Sequence, residues 1–160
     1  MEGFDPRWTD QTNYILGVTH EIWEDRGIST LTQYYGDDII VRSPASIVVG
    51  NENVIGATMA TLAELPDRQL LGEDVIFCDA PSGGFLSSHR LMMMPPRAAV
   101  RWSINGLHSG WGAFGKPTGA QVHVMGITHA EFGPRGLRCE FTLIDETAVW
   151  KQILIQTGEV

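Results

Sequence analysis

The apolar positions of this chain recur first at helical and then at strand spacing. Between residues 10 and 26, Ile15, Val18, Ile22 and Trp23 repeat on one helical face, and Gly27 supplies a stop. A short second helix over residues 29–35 closes at Gly36, and residues 37–42 then form a β-rich segment running into Ser43-Pro44. A brief strand at 47–49 precedes Gly50-Asn51, which opens and caps a third helix over 52–65. That helix places Ile55, Met59 and Leu62 on one side and stops before Pro66, because the residue preceding a proline is forced out of the helical region. Four long strands follow, at 69–79, 84–94, 118–132 and 137–144, with a tight hairpin predicted at 133–136. Residues 95–117, rich in Gly and Pro, read as a long loop holding Trp102, His108, Trp111 and Phe114. Asp145 caps a last helix over 146–155, whose apolar side is Val149, Trp150, Ile153 and Leu154.

Helices followed by consecutive long strands predict an α+β fold, a curved mixed or antiparallel sheet wrapped around the N-terminal helices. At 160 residues the chain forms one domain able to bury its own core. The net charge of -8 and the lack of any Lys/Arg run argue against nucleic acid and against anionic membranes. No apolar run reaches the roughly 20 residues of a spanning helix, and residues 1–6 do not resemble a signal peptide, so a cytoplasmic location is expected. Cys78 and Cys139 stand apart without metal-site spacing and read as reduced core residues.

Titratable side chains on strands carry the candidate chemistry. On residues 121–131, strand alternation puts His123, Met125, Ile127, His129 and Glu131 on one face, two imidazoles flanking an apolar floor. That face either does acid/base work or is solvated. The two histidines are roughly 20 Å apart along a strand, so at most one acts on a given atom, and His123 lies nearer the long loop. On 84–94, His89 or Arg90 projects into a cavity, Arg90 holding an enolate or carboxylate oxygen or else pairing with Glu140 or Glu131. Glu140 shares a face with Arg138, Thr142 and Ile144; in a pocket, desolvation would raise its pKa towards neutrality. Asp145 is either a helix cap or the catalytic carboxylate. Trp23, Tyr34, Tyr35, Met59, Met125, Ile127, Phe141 and Trp111 are candidates for the pocket wall. Met92, Met93 and Met94 alternate in direction and cannot converge on a metal, and His20 four residues before Glu24 reads as a solvated pair.

The order of several short motifs resembles nuclear transport factor 2-like proteins, and within them the SnoaL-like polyketide cyclase group. They are Ile22-Trp23-Glu24, the Gly50 turn, Leu65-Pro66-Asp67, Glu73-Asp74-Val75-Ile76, Ser87-Ser88-His89-Arg90, Gly115-Lys116-Pro117-Thr118-Gly119, and Glu140 through Asp145 with Gln152 beyond. Phe141 stands where that group usually has Trp. The resemblance implies a cone-shaped fold, a homodimer, and a cofactor-free ring closure or related reaction with a pocket carboxylate as acid/base and a histidine on a neighbouring strand. The expected function is thus a cyclase, isomerase or hydratase acting on a small hydrophobic carbonyl compound, with neither cofactor nor metal. Glu140 or Asp145 would move the proton, and His123, His89 or Arg90 would steady the enolate. The alternatives are a domain that binds an apolar metabolite unchanged, or a structural dimer with a filled interior.

Overall fold

The computed structural model describes residues 6–78, 96–133 and 136–159. The predicted strand at 84–94, with His89, Arg90 and the three methionines, lies outside the described residues. Among those described, four helices meet one six-stranded mixed sheet that curves without closing. In chain order these are α1 (Gln11–Trp23), α2 (Ile28–Tyr34), β1 (Tyr35–Arg42), β2 (Ile47–Val49), α3 (Asn51–Glu64), β3 (Gln69–Cys78), β4 (Arg97–Leu107), β5 (Gln121–Gly133), β6 (Gly136–Ile144) and α4 (Glu146–Thr157). The sheet order is β2-β1-β6-β5-β4-β3, antiparallel except where β1 runs parallel to β6.

The helices form where the periodicity places them. Asp10 caps α1 by accepting from the Asn13 N–H at 2.8 Å, and Tyr14, Ile15, Val18 and Ile22 turn inward. In α3 the buried positions are Asn51, Val54, Thr58 and Glu64, whereas Met59 is mostly exposed. The helix is thus rotated by about one residue from its most hydrophobic side, and Val54, Thr58 and Thr61 look inward instead. Smaller and more polar side chains there leave room inside the cone.

Residues 95–117 are not one loop. Arg97–Leu107 is β4, a central strand whose inner side is Ala98, Val100, Trp102, Ile104 and Gly106. The remaining segment, 108–120, folds over the end of α3, held by the buried Glu64 carboxylate. That carboxylate accepts from the N–H groups of Ala113 (3.1 Å) and Phe114 (2.7 Å). The His108 ring, wholly buried, lies 3.6 Å from Glu64 and bonds Thr118 through Nδ1 at 3.0 Å.

α4 completes β5 where β6 ends. Gln152 gives to the His123 carbonyl (2.9 Å) and takes from its N–H (2.7 Å), and Gln156 does the same at Gln121, at 2.7 and 2.9 Å. The two amides, one helical turn apart, stand in for a missing strand and satisfy its exposed backbone edge. The two cysteines are free, but only Cys139 is buried; Cys78 is exposed at the end of β3. His20 lies 3.7 Å from Asp25 and is not paired with Glu24. No helix among the described residues is long and apolar enough to cross a membrane.

Candidate functional site

The inner face of the sheet and helices α1 and α3 enclose a cavity of about 310 Å³, walled mostly by apolar side chains. Its polar floor is set by a bulge in β6. Leu137 pairs with Phe132 and Cys139 with Glu131, so Arg138 is an extra residue without a partner on β5. Such an insertion re-aims the side chains beyond it. Leu137 faces the core, and after the extra residue Glu140, Thr142 and Ile144 face inward while Phe141 and Leu143 face out. Arg138 therefore does not share the inner face with Glu140, as unbroken alternation predicted.

Glu140 is flanked across the sheet by Ala130 on β5 and Val41 on β1, two side chains that leave space above it. It lies deep in the molecule, and the accessible surface it keeps faces the cavity. Burial raises its pKa above the ordinary carboxylate value, opposed by two donors: the Thr142 hydroxyl on Oε1 and the Tyr35 hydroxyl on Oε2, each at 3.2 Å. Tyr35 is itself pushed well above its usual value, first by burial and then by the Glu140 charge, and so stays protonated. Thr142 meets Thr128 at 3.0 Å on the facing strand, and Trp102 Nε1 donates to Thr128 at 3.0 Å. All five residues line the cavity.

The candidates from the sequence divide between the two sides of the sheet. Glu140, Trp23 and Tyr35 line the cavity. The face of β5 carrying His123, Met125, Ile127 and His129 is the outer one, since Val122, Val124, Thr128 and Ala130 are those turned inward. His123 is exposed and bonds Asn105 across the pair at 2.7 Å. Met125, Ile127 and Phe141 are likewise on the outside, and Met59 and Trp111 are exposed. Tyr34 is buried in the core, its hydroxyl accepting from Arg7 at 2.6 Å, and does not reach the cavity. Asp145 accepts from the Ala148 N–H at 3.0 Å as the cap of α4, and its side chain is exposed. Sequence reading missed Thr142 as a donor to Glu140, Thr128 and Trp102 as the side chains linked to it through Thr142, and the Glu64–His108 pair. For the two threonines a signal was present, a hydroxyl among apolar residues on a predicted strand, whereas Trp102 fell in the segment read as a loop. No group of three or more His, Cys, Asp or Glu side chains among the described residues is placed to hold a metal ion.

No protein-family model matches the sequence, and no curated protein matches it. Solved structures do match in fold. One, provisionally assigned as a SnoaL-like polyketide cyclase from Jannaschia sp. CCS1, is 16% identical over 92% of this chain and 96% of its own, with a TM-score of 0.69. IdmH from Streptomyces antibioticus, provisionally assigned as a polyketide cyclase, is 16% identical over 90% of this chain and 99% of its own (TM-score 0.68). AclR from Streptomyces galilaeus, provisionally assigned as a hydroxylase, is 16% identical over 92% and 95% (TM-score 0.66). The chain therefore has the cone-shaped fold that nuclear transport factor 2-like and SnoaL-like proteins share, a fold that carries more than one assigned activity.

Proposed function

We propose that the cavity binds a small hydrophobic carbonyl compound and that Glu140 moves a proton at the carbon beside the carbonyl. The observation that supports this most is the Glu140 carboxylate itself, deep in an apolar cavity with its pKa raised by burial and hydroxyl donors on both oxygens. A carboxylate so placed is a stronger base than one in water, and strength near the operating pH is what proton transfer from carbon needs. The C–H bond breaks, its proton passes to Glu140, its electron pair forms the C=C bond of the enolate, and the carbonyl π pair moves to the oxygen. As Glu140 becomes neutral it needs its donors less, and the Tyr35 O–H is free to turn to the enolate oxygen. Return of the proton to another carbon gives an isomerase; attack of the enolate carbon on a second carbonyl gives a cyclase.

Deuterium uptake from D2O at the carbon beside the carbonyl of 2-tetralone, followed by NMR, tests this reading. The wild-type protein should accelerate exchange, and Glu140→Gln should lose about 100-fold or more of that acceleration. Equal rates with both proteins would reject the base role of Glu140.

The outer sheet face supports a second element of the proposal, a homodimer. Leu71, Met125, Ile127, Phe141 and Leu143 are all substantially exposed there, on β3, β5 and β6. Apolar surface of that extent on one sheet face is characteristic of an interaction face, and a second copy of the same sheet offers a matching one.

A further inference from the structure

The polar floor of the cavity has a fixed donor direction. Trp102 Nε1 only donates, and its hydrogen goes to Thr128 Oγ1 at 3.0 Å. At the other end, the Glu140 carboxylate only accepts, and takes the Thr142 hydroxyl hydrogen at 3.2 Å. With that hydrogen committed, the 3.0 Å contact between Thr128 and Thr142 has one polarity: Thr128 donates and Thr142 accepts. The Tyr35 hydroxyl closes the set from β1, donating to the second carboxylate oxygen. Every hydrogen in this chain of five side chains points towards Glu140 and none into the cavity. What the floor offers a ligand is lone pairs on a carboxylate.

We infer that the site selects among hydrophobic ligands by a hydroxyl donor, an enol or phenol O–H, and prefers it to the same skeleton whose oxygen is capped as an ether. A donor hydroxyl placed on Glu140 makes a charge-assisted hydrogen bond in a water-poor site. An ether oxygen in the same place meets carboxylate lone pairs and loses its bond to water without replacement. The inference deepens the proton-transfer reading, in which the enol is the tautomer with its oxygen protonated, but the two fail separately.

Equilibrium dialysis with 2-naphthol, 2-methoxynaphthalene and naphthalene near neutral pH tests it. 2-Naphthol carries the enol-type hydroxyl; naphthalene controls for ring burial and for the size of the methyl group. Wild-type protein should bind 2-naphthol at least about tenfold more tightly than either comparison ligand. In Glu140→Gln, whose amide both donates and accepts, the preference should fall below about threefold. Affinities within a factor of about three for all three ligands in the wild-type protein would overturn the inference while leaving an apolar binding cavity in place. Failure of all three to bind would overturn both it and the reading of the cavity as a ligand site. The wild-type comparison decides the matter even if Glu140→Gln does not fold.

Discussion

The indole of Trp102 occupies the space where Gly126, its partner across the β4–β5 pair, would carry a side chain: a Cβ built on Gly126 falls 2.2 Å from the ring. A glycine inside a strand marks a close approach, and here it lets Trp102 lie along the sheet and bring Nε1 to Thr128. Gly126→Ala should therefore displace the indole, lower stability by about 1–3 kcal/mol in urea denaturation, and shift the Trp102 Nε1–H resonance. Gly56→Ala is the counterpart. It lies in α3 with nothing within 4 Å of the added methyl, and it should raise stability by about 0.5–1 kcal/mol.

Glu140→Gln should stabilise the fold while abolishing exchange chemistry. Burial raises the Glu140 pKa in the folded state, so folding binds a proton more tightly there than the unfolded chain does. The group's favourable contribution is thus fully present below the ordinary carboxylate value and is lost as pH rises through the raised one. The glutamine variant lacks that loss. Its advantage over the wild-type protein, measured by chemical denaturation, should grow with pH across that window. An advantage that shrinks as pH rises would contradict the sign.

Asp145→Ala separates the cap from the catalytic carboxylate. Loss of the bond from the Ala148 N–H should cost about 1 kcal/mol of stability. Deuterium exchange catalysed per folded molecule should remain within about twofold of the wild-type rate, because the side chain is exposed outside the cavity.

Ile127→Asp tests the outer face. Sedimentation should show a dimer for the wild-type chain and a monomer for the variant, with ligand binding retained, since Ile127 lies on the side of β5 opposite Thr128. An unchanged dimer would place the interface elsewhere.

Much of the architecture was legible because periodicity reports which side of an element is buried. The helix containing Ile15, Val18 and Ile22 and the alternation of β5 read directly from the sequence. β4 did not, although Ala98, Val100, Trp102 and Ile104 alternate with Arg97, Arg101 and Asn105; alanines and a glycine dilute the contrast, and Pro95 and Pro96 suggest a loop. The site was harder still. Alternation tells that His123 and Thr128 lie on opposite sides, but both sides of β5 carry apolar residues, so hydrophobicity alone does not say which is the inside. The histidines drew attention to the outer face, while a tryptophan and two threonines make the inner one. Glu140 reached the inside through the extra residue Arg138, and a bulge leaves no mark in a pattern of single-residue alternation.

The most direct measurement is an NMR titration of the Glu140 side-chain carboxyl carbon, assigned by comparison with Glu140→Gln, with and without 2-naphthol. A carboxyl poised by burial in a ligand cavity should titrate above the ordinary carboxylate value, and the bound hydroxyl, which favours the ionised form, should lower that value. Titration at the ordinary value, unmoved by the ligand, would contradict the assignment of Glu140 as the proton acceptor of this cavity.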